Sequence, residues 1–161
     1  MNRALTLAAA ALAASTAAAA IAAEAAGPLS IQTRMLTETR SRASDGTTRS
    51  QMAEPARVVP GTPVRIVIDY RNTGAQPIAG LVIANPVPAN TEYRGPAAGT
   101  PQPEVTVDGK SFAPLAQLRV PAPGGAARAA VASEVTAVRW RLPSALTAGA
   151  KGQFAFEAVL K

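Results

Sequence analysis

Residues 59–74, with the sequence VPGTPVRIVIDYRNTG, contain the clearest strand pattern in the chain. From Val64 to Tyr70 every second side chain is large and apolar, whereas the positions between them are mostly polar. Because successive side chains of a strand point to opposite faces, this alternation predicts a half-buried β-strand. Pro60-Gly61 before it and Asn72-Thr73-Gly74 after it are typical turn sequences. The segment is therefore predicted to be one strand bounded by two turns.

Similar alternation predicts strands over much of the remaining chain. These further strands are expected at residues 29–39, 78–84, 104–107, 110–112, 115–120, 135–142 and 152–160. Asp45-Gly46 predicts a hairpin with the return arm Thr47–Met52, since glycine tolerates the positive φ of a tight turn. Asp108-Gly109 predicts a second hairpin for the same reason. The segment Pro121–Ala132 is expected to be an exposed loop.

The first 22 residues have the pattern of a secretory signal peptide. Arg3 supplies a positive start, Ala4–Ala20 is almost wholly apolar, and small residues precede possible cleavage after residue 22 or as late as residue 25. A membrane anchor is disfavoured because this alanine-rich run is weakly hydrophobic and no basic stop-transfer cluster follows it. The mature protein is therefore expected to be exported, periplasmic or extracellular at the cell surface, with no transmembrane segment.

The fold class follows from the period of the remaining chain. Outside the signal segment no window shows a convincing helical period, and 14 Pro and 12 Gly separate short alternating runs. Parallel strands would need crossover helices, which are missing from this pattern. We predict an all-β protein, an antiparallel β-sandwich of about seven to nine strands, preceded by a cleavable signal helix. Residues 27–161 are expected to form a single domain, with an N-terminal strand and hairpin over 27–56.

Composition excludes most catalytic chemistry. The chain contains no cysteine and no histidine, which removes disulfides, thiolate zinc sites and the usual Ser-His-Asp and Cys-His nucleophile systems. We therefore predict that the protein is not an enzyme, and we predict no catalytic, cofactor-binding or metal-binding residue and no cofactor.

Several residues resemble site residues, and each has a structural interpretation. The acidic residues are scattered rather than gathered in a calcium loop: Asp69, Glu92, Glu104, Asp108, Glu134 and Glu157. Gly124-Gly125 lacks the Lys-Ser/Thr of a phosphate cradle. Asn72-Thr73-Gly74 is interpreted as a turn, because Asn and Gly accept left-handed backbone angles and the Asn side chain can bond to nearby backbone. Trp140 alternates with Val138 and Leu142, which indicates a core residue rather than a sugar-stacking platform.

The charge of the chain is basic, with a formal net charge of +6. Its arginines are spread along the chain with almost no interleaved aromatic residues. This pattern favours a solvated basic surface over a nucleic-acid site, so no nucleic acid partner is expected.

Five segments together carry a resemblance to a known family. These are residues 59–74 followed by 83–91, then Val138–Leu142 with Leu146–Gly149, and finally Phe154–Leu160. In this order they resemble the conserved-repeat immunoglobulin-like domain of unknown function found in bacterial and archaeal surface proteins, including the chlamydial cysteine-rich outer-membrane protein. The resemblance covers about residues 55–161 and implies an immunoglobulin-like sandwich at the cell envelope. Asn85 stands where family members often carry aspartate, and this chain holds a single copy of a domain that is often repeated.

Two functions of different classes remain open at this point. The first is a structural or adhesive module of the envelope that binds other envelope proteins or itself, for instance by exchanging the strand Leu29–Met35 between copies. The second is an accessory protein that binds acidic polysaccharide or lipid head groups through a basic surface that includes Arg139 and Arg141.

Overall fold

The structure is a computed structural model that describes residues 27–42, 44–55 and 57–161, without the side chains of residues 40, 41 and 49. The predicted signal segment and its cleavage site lie outside the described residues. The described residues form ten strands, namely β1 (Leu29–Arg42), β2 (Thr48–Ala53), β3 (Pro63–Asn72), β4 (Val82–Pro86), β5 (Thr91–Pro96), β6 (Glu104–Thr106), β7 (Arg119–Pro121), β8 (Ala127–Ala129), β9 (Ala137–Arg141) and β10 (Lys151–Leu160).

The strands form three antiparallel sheets. The largest has the order β2-β1-β3-β10-β5, the second has the order β4-β9-β6, and β7 and β8 form a separate pair. Within the described part of the chain, the only helical segments are two 3₁₀ turns, Leu115–Gln117 and Ala132–Glu134. No helix there has the length and apolar character that crossing a membrane requires. The prediction of an all-β, antiparallel structure is confirmed, and the arrangement is consistent with a β-sandwich.

The two longest strands of the largest sheet supply the centre of the core. β3 and β10 pair so that Ile66 lies opposite Phe156 and Ile68 opposite Phe154, and all four side chains are buried. These residues belong to one apolar cluster with Ile83 of β4 and with residues of β9. The alternation seen in the sequence is therefore the pattern of a sheet whose one face packs against a second sheet.

The order of the strands differs from that of an immunoglobulin constant domain in one respect. For this comparison we number the strands of the two larger sheets, leaving out β2, from one to seven in chain order: β1, β3, β4, β5, β6, β9 and β10. An immunoglobulin domain places strands one, two, five and four in one sheet and three, six and seven in the other. In the present structure β10, the seventh of these strands, takes the place that the fifth strand has in an immunoglobulin domain. Conversely β6, the fifth of these strands, takes the place of the seventh.

The predicted N-terminal hairpin is present and longer than expected. β1 continues to Arg42, and its second half pairs with β2 from Thr37↔Ala53 to Arg42↔Thr48. The Asp45 carboxylate accepts a hydrogen bond from the Thr47 backbone N–H at 2.9 Å, and Gly46 has a φ of 81°. The first half of β1 pairs with β3 of the same chain over eight residues.

Several boundaries predicted from sequence are wrong. The strand predicted at 78–84 is a single bridge at Ile78 followed by β4, and the second Asp-Gly hairpin closes only through the bridge Val105↔Ala113. The strand predicted at 115–120 is a 3₁₀ turn followed by β7. The loop predicted at Pro121–Ala132 contains β8, which returns along β7. The sequence predicts about seven to nine strands. With these short strands and β5, the described residues contain ten.

A second, small apolar cluster lies on the opposite face of the largest sheet. Val67 and Ala155 are buried there against Ala97, and Leu36 packs at the margin. The sequence placed Val67 on the polar face of its strand. It is buried because β1 and the segment after β5 supply apolar neighbours that the local pattern does not reveal.

Candidate functional site

Trp140 lies in the core, as predicted. Its indole is 3% exposed, stacks on Phe154 with ring centroids 4.8 Å apart, and donates a hydrogen bond from Nε1 to the Pro101 carbonyl at 2.8 Å. A cleft of about 400 Å³ opens beside it, between Pro101 and Pro143. Because the ring is buried and its N–H is already bonded, Trp140 does not present a stacking surface for a sugar.

The Asn72-Thr73-Gly74 turn is a structural brace. Asn72 is fully buried, and its Nδ2 donates hydrogen bonds to the carbonyls of Gln76 at 2.7 Å and Leu146 at 2.9 Å. Its Oδ1 accepts a hydrogen bond from the Gly74 N–H at 2.9 Å. The turn interpretation is supported. The predicted bonding of the Asn72 side chain to nearby backbone is present, whereas the predicted left-handed backbone angles are not, because neither Asn72 nor Gly74 has a positive φ. Glycine is required because a Cβ at residue 74 would lie 2.7 Å from the Pro28 Cβ.

Asn85, where the resembling family often has aspartate, joins the two main sheets. It is buried in β4, its Oδ1 accepts a hydrogen bond from the Thr33 hydroxyl of β1 at 2.9 Å, and its Nδ2 donates to the Pro86 carbonyl at 2.8 Å. A carboxylate has no N–H to donate, so aspartate would lose the second bond. The amide at this position therefore serves packing rather than ion binding.

The scattered carboxylates are engaged in separate local contacts. Ion pairs join Arg34 to Asp69, Arg65 to Glu157, Arg94 to Glu92, Arg128 to Glu134, and both Arg139 and Arg141 to Glu104. Within the described residues, no group of three or more potential metal-ligating side chains is found.

Two of these carboxylates stabilise turns and are strongly acidic as a result. The backbone N–H groups of Ser111 and Lys110 hold the pKa of Asp108 well below its usual range. The Arg128 guanidinium, together with the Val131 N–H, lowers the pKa of Glu134 to about 2. Each carboxylate therefore stays charged at neutral pH and fastens a loop.

Gly124-Gly125 forms the tip of the β7–β8 hairpin. Both residues have positive φ, 95° and 86°, and the Ala122 N–H donates to the Ala126 carbonyl at 2.8 Å across the turn. These glycines are required by the backbone conformation, and the pair lies at the tip of a hairpin rather than in the loop predicted from sequence.

The basic pair proposed from sequence, Arg139 and Arg141, is partly neutralised. Arg139 Nε donates to Glu104 Oε2 at 2.8 Å, and Arg141 Nε lies 3.5 Å from the same oxygen. The Arg139 guanidinium also lies 4.2 Å from the centroid of the Phe112 ring. The hydrogen bond from Arg139 lowers the pKa of Glu104. This pair is therefore committed to contacts within the chain.

A different basic surface lies on the outer face of the largest sheet, and we call it the outer groove. Its cavity volume is about 580 Å³. Nine residues line it, namely Ser30, Gln32, Arg34, Asp69, Tyr70, Arg71, Thr73, Lys151 and Gly152. Three adjacent strands, β1, β3 and β10, bring these residues together.

Register sets the arrangement of the groove in two rows. Arg71 of β3 lies between Ser30 of β1 and Lys151 of β10. In the next row Asp69 of β3 lies between Gln32 and Gln153. This surface is not evident from the sequence, because its residues are up to 122 positions apart and only the strand order unites them. The polar face of residues 65–71 was its one visible signal.

Asp69 is already engaged within the groove. Its Oδ2 accepts hydrogen bonds from Arg34 Nε at 2.9 Å and Nη2 at 2.7 Å, and its Oδ1 accepts one from Gln153 Nε2 at 3.0 Å. Neither Arg71 nor Lys151 has an ion-pair or side-chain hydrogen-bond partner among the residues that the structure describes. The groove therefore holds two cations that the described part of the chain does not neutralise.

Comparison with protein-family models, with curated proteins and with solved structures gives no match to this chain.

Proposed function

We propose that this chain is an exported, non-catalytic, immunoglobulin-like structural or adhesive module of the bacterial cell envelope. One observation supports it above the others: the polar residues that most resemble site residues are bonded within the chain as braces. Asn72, Asn85 and Trp140 illustrate this, since each joins separate segments through its side chain. No buried side-chain nitrogen or oxygen in the described residues lacks a hydrogen-bond partner.

The immunoglobulin-like part of the proposal rests on architecture and on the sequence resemblance. Five of the seven main strands occupy the positions that an immunoglobulin constant domain would give them, and the fifth and seventh have exchanged places. The export part rests on the N-terminal sequence pattern.

The adhesive element in this proposal is the projecting hairpin formed by Thr37–Arg42 and Thr48–Ala53, which we call the arm. Its residues are mostly exposed, and β2 makes its contacts mainly with β1. A two-stranded hairpin is marginally stable alone, and its unpaired backbone groups can add to another sheet. Exchange of Leu29–Leu36 between copies is less favourable, because it would first break eight paired positions with β3.

Deleting the arm tests the proposal. Thr37 and Ala53 lie directly opposite each other, so residues 38–52 can be replaced by Asn-Gly to close a two-residue hairpin. We expect the full chain to sediment with the envelope fraction of the producing cell, and the arm deletion to be released into the soluble exported fraction. Circular dichroism and the melting temperature of the purified deletion serve as the folding control.

Two results would contradict the proposal. One is a folded wild-type protein that stays in the cytoplasm with its N-terminal segment uncleaved. The other is equal envelope retention of the wild type and the arm deletion, which would remove the arm as the adhesive element. Light scattering over a concentration series separates self-association from attachment to another component.

A further inference from the structure

We propose that the outer groove is a binding site for an acidic saccharide, with a uronate carboxylate held by Arg71 and Lys151. This inference goes beyond the structural role proposed above and does not depend on the arm. It rests on unneutralised charge, on the hydrogen-bonding groups beside that charge, and on the shape of the surface.

The two cations of the groove, Arg71 and Lys151, lie directly opposite each other on adjacent strands. Like charges in this position destabilise a sheet, and opposite charges stabilise it. Elsewhere on this sheet the chain follows the second pattern, since Arg65 lies opposite Glu157 and forms an ion pair with it. An anion seated between Arg71 and Lys151 would remove the repulsion.

The neighbouring carboxylate, Asp69, lies two residues before Arg71 on the same face of β3 and would be the natural counter-ion for Arg71. It instead accepts two hydrogen bonds from Arg34 and one from Gln153. Asp69 is thus bonded to Arg34 and Gln153, and among the described residues it forms no ion pair with Arg71 or Lys151.

Uncharged side chains beside the two cations can form hydrogen bonds with a ligand. Ser30 and Gln32 lie beside the cations on β1, are exposed, and have no side-chain partner among the described residues. A hydroxyl and an amide can both donate to and accept from sugar hydroxyl groups. A cavity of about 580 Å³ is within the usual range of small-ligand sites, about 300–1,000 Å³.

The same features disfavour a membrane surface as the ligand. Peripheral proteins that lie on a bilayer insert apolar side chains beside their basic residues. The exposed large apolar residues of the described chain do not line the groove: Ile31, Met52, Val58, Val59, Val82 and Val131. Tyr70 is the one aromatic residue of the lining. Its ring packs on Phe154, with centroids 5.1 Å apart, in the core.

Lys151→Glu is the central test, with Lys110→Glu as the matched control. Both substitutions change the net charge equally, and Lys110 lies on the Asp108-Gly109 turn, outside the groove. The probes are a short oligogalacturonate, a neutral galactan oligosaccharide of equal length and phosphatidylglycerol vesicles, each titrated into the mature protein by calorimetry. Of the three probes, we expect the wild type to bind only the oligogalacturonate. Its affinity should fall as the salt concentration is raised.

We expect Lys151→Glu to weaken that binding by about tenfold and Lys110→Glu to leave it within about twofold, as for loss of one or two exposed ionic contacts. The melting temperature of Lys151→Glu should equal or exceed that of the wild type, because the substitution replaces a like-charge pair with an opposite-charge pair. Lost binding in a protein of undiminished stability supports the site.

Three outcomes would overturn the inference. They are equal weakening by both variants, binding to vesicles in preference to oligogalacturonate, and no saturable binding of the oligosaccharide at millimolar concentration. None of these outcomes affects the envelope retention of the arm deletion, so the two proposals fail separately.

Discussion

The ring of Phe154 lies nearly parallel to the indole of Trp140, with centroids 4.8 Å apart and planes inclined by 8°. Phe154 belongs to β10 in the larger sheet and Trp140 to β9 in the smaller one. Tyr70 of β3 also packs on Phe154, with the ring centroids 5.1 Å apart. These three rings join the sheets in a chain with few bulky residues, so the free energy of unfolding should depend strongly on them.

Replacing the indole is the first test of this dependence. Trp140→Ala should lower the free energy of unfolding by about 3–5 kcal/mol, because it removes a large buried side chain and leaves a cavity. Trp140→Phe keeps an aromatic ring against Phe154 and loses the hydrogen bond to Pro101, so it should cost about 1–2 kcal/mol. Urea unfolding measures both variants. A loss below about 1 kcal/mol for Trp140→Ala would show that the stack is not a central support.

The buried amide of Asn72 gives a second prediction. Asn72→Ala removes the side-chain partner of the Gln76 carbonyl and the Gly74 N–H, and one of the two donors to the Leu146 carbonyl, and should cost about 2–4 kcal/mol. Asn72→Asp should be worse at neutral pH, because its carboxylate would face the carbonyl oxygens of Gln76 and Leu146. Lowering the pH should narrow the difference between the two variants as the carboxylate is protonated. Equal stability of the Asp and Ala variants at all pH values would contradict this account.

Gly152 lies under the ring of Tyr70 and should not tolerate a side chain. A Cβ at this position would lie 2.4 Å from Tyr70 Cζ. Gly152→Ala should therefore lower stability by about 1–3 kcal/mol, whereas Gly27→Ala, with nothing within 4 Å, is the neutral control. Combining Gly152→Ala with Tyr70→Leu should give a smaller loss than the sum of the single changes, and strict additivity would argue against direct contact.

Acid should loosen the segment that follows β8. The folded-state pKa of Glu134 is lowered to about 2 from an ordinary value of 4.5, mainly by hydrogen bonding to Arg128. A depressed pKa contributes stability that is present above about pH 4.5 and is lost as pH falls toward 2. Glu134→Gln should lower the melting temperature at pH 7 and reduce its further decline between pH 5 and 2. Glu54→Gln, at an exposed position, should do neither, and a matching effect there would contradict the assignment.

The sequence was most informative where a strand is long and one face is buried. β3, β9 and β10 follow from alternation of large apolar residues, and Trp140 was placed in the core on the same ground. β5 was not predicted, because Gly95 and Pro96 end it with residues typical of turns. The exposed strand β8, with the sequence Ala-Arg-Ala, has no apolar face to detect.

The candidate surface was less accessible to sequence analysis than the strands. Period two tells which residues share a face but does not tell which strands are neighbours. The pairing of Arg139 with Glu104, and the meeting of Arg71 with Lys151, both depend on strand order. The basic residues chosen from sequence were therefore the partly neutralised pair, and the unneutralised pair emerged only from the register.

The place of β10 between β3 and β5 has a consequence for the order in which the largest sheet can form. β10 pairs with β3 on one edge and with β5 on the other, so the middle of this sheet is absent until β10 is in place. Long-range pairing of this kind folds slowly, on the order of milliseconds to seconds. The insertion of β10 is therefore the step that closes the largest sheet.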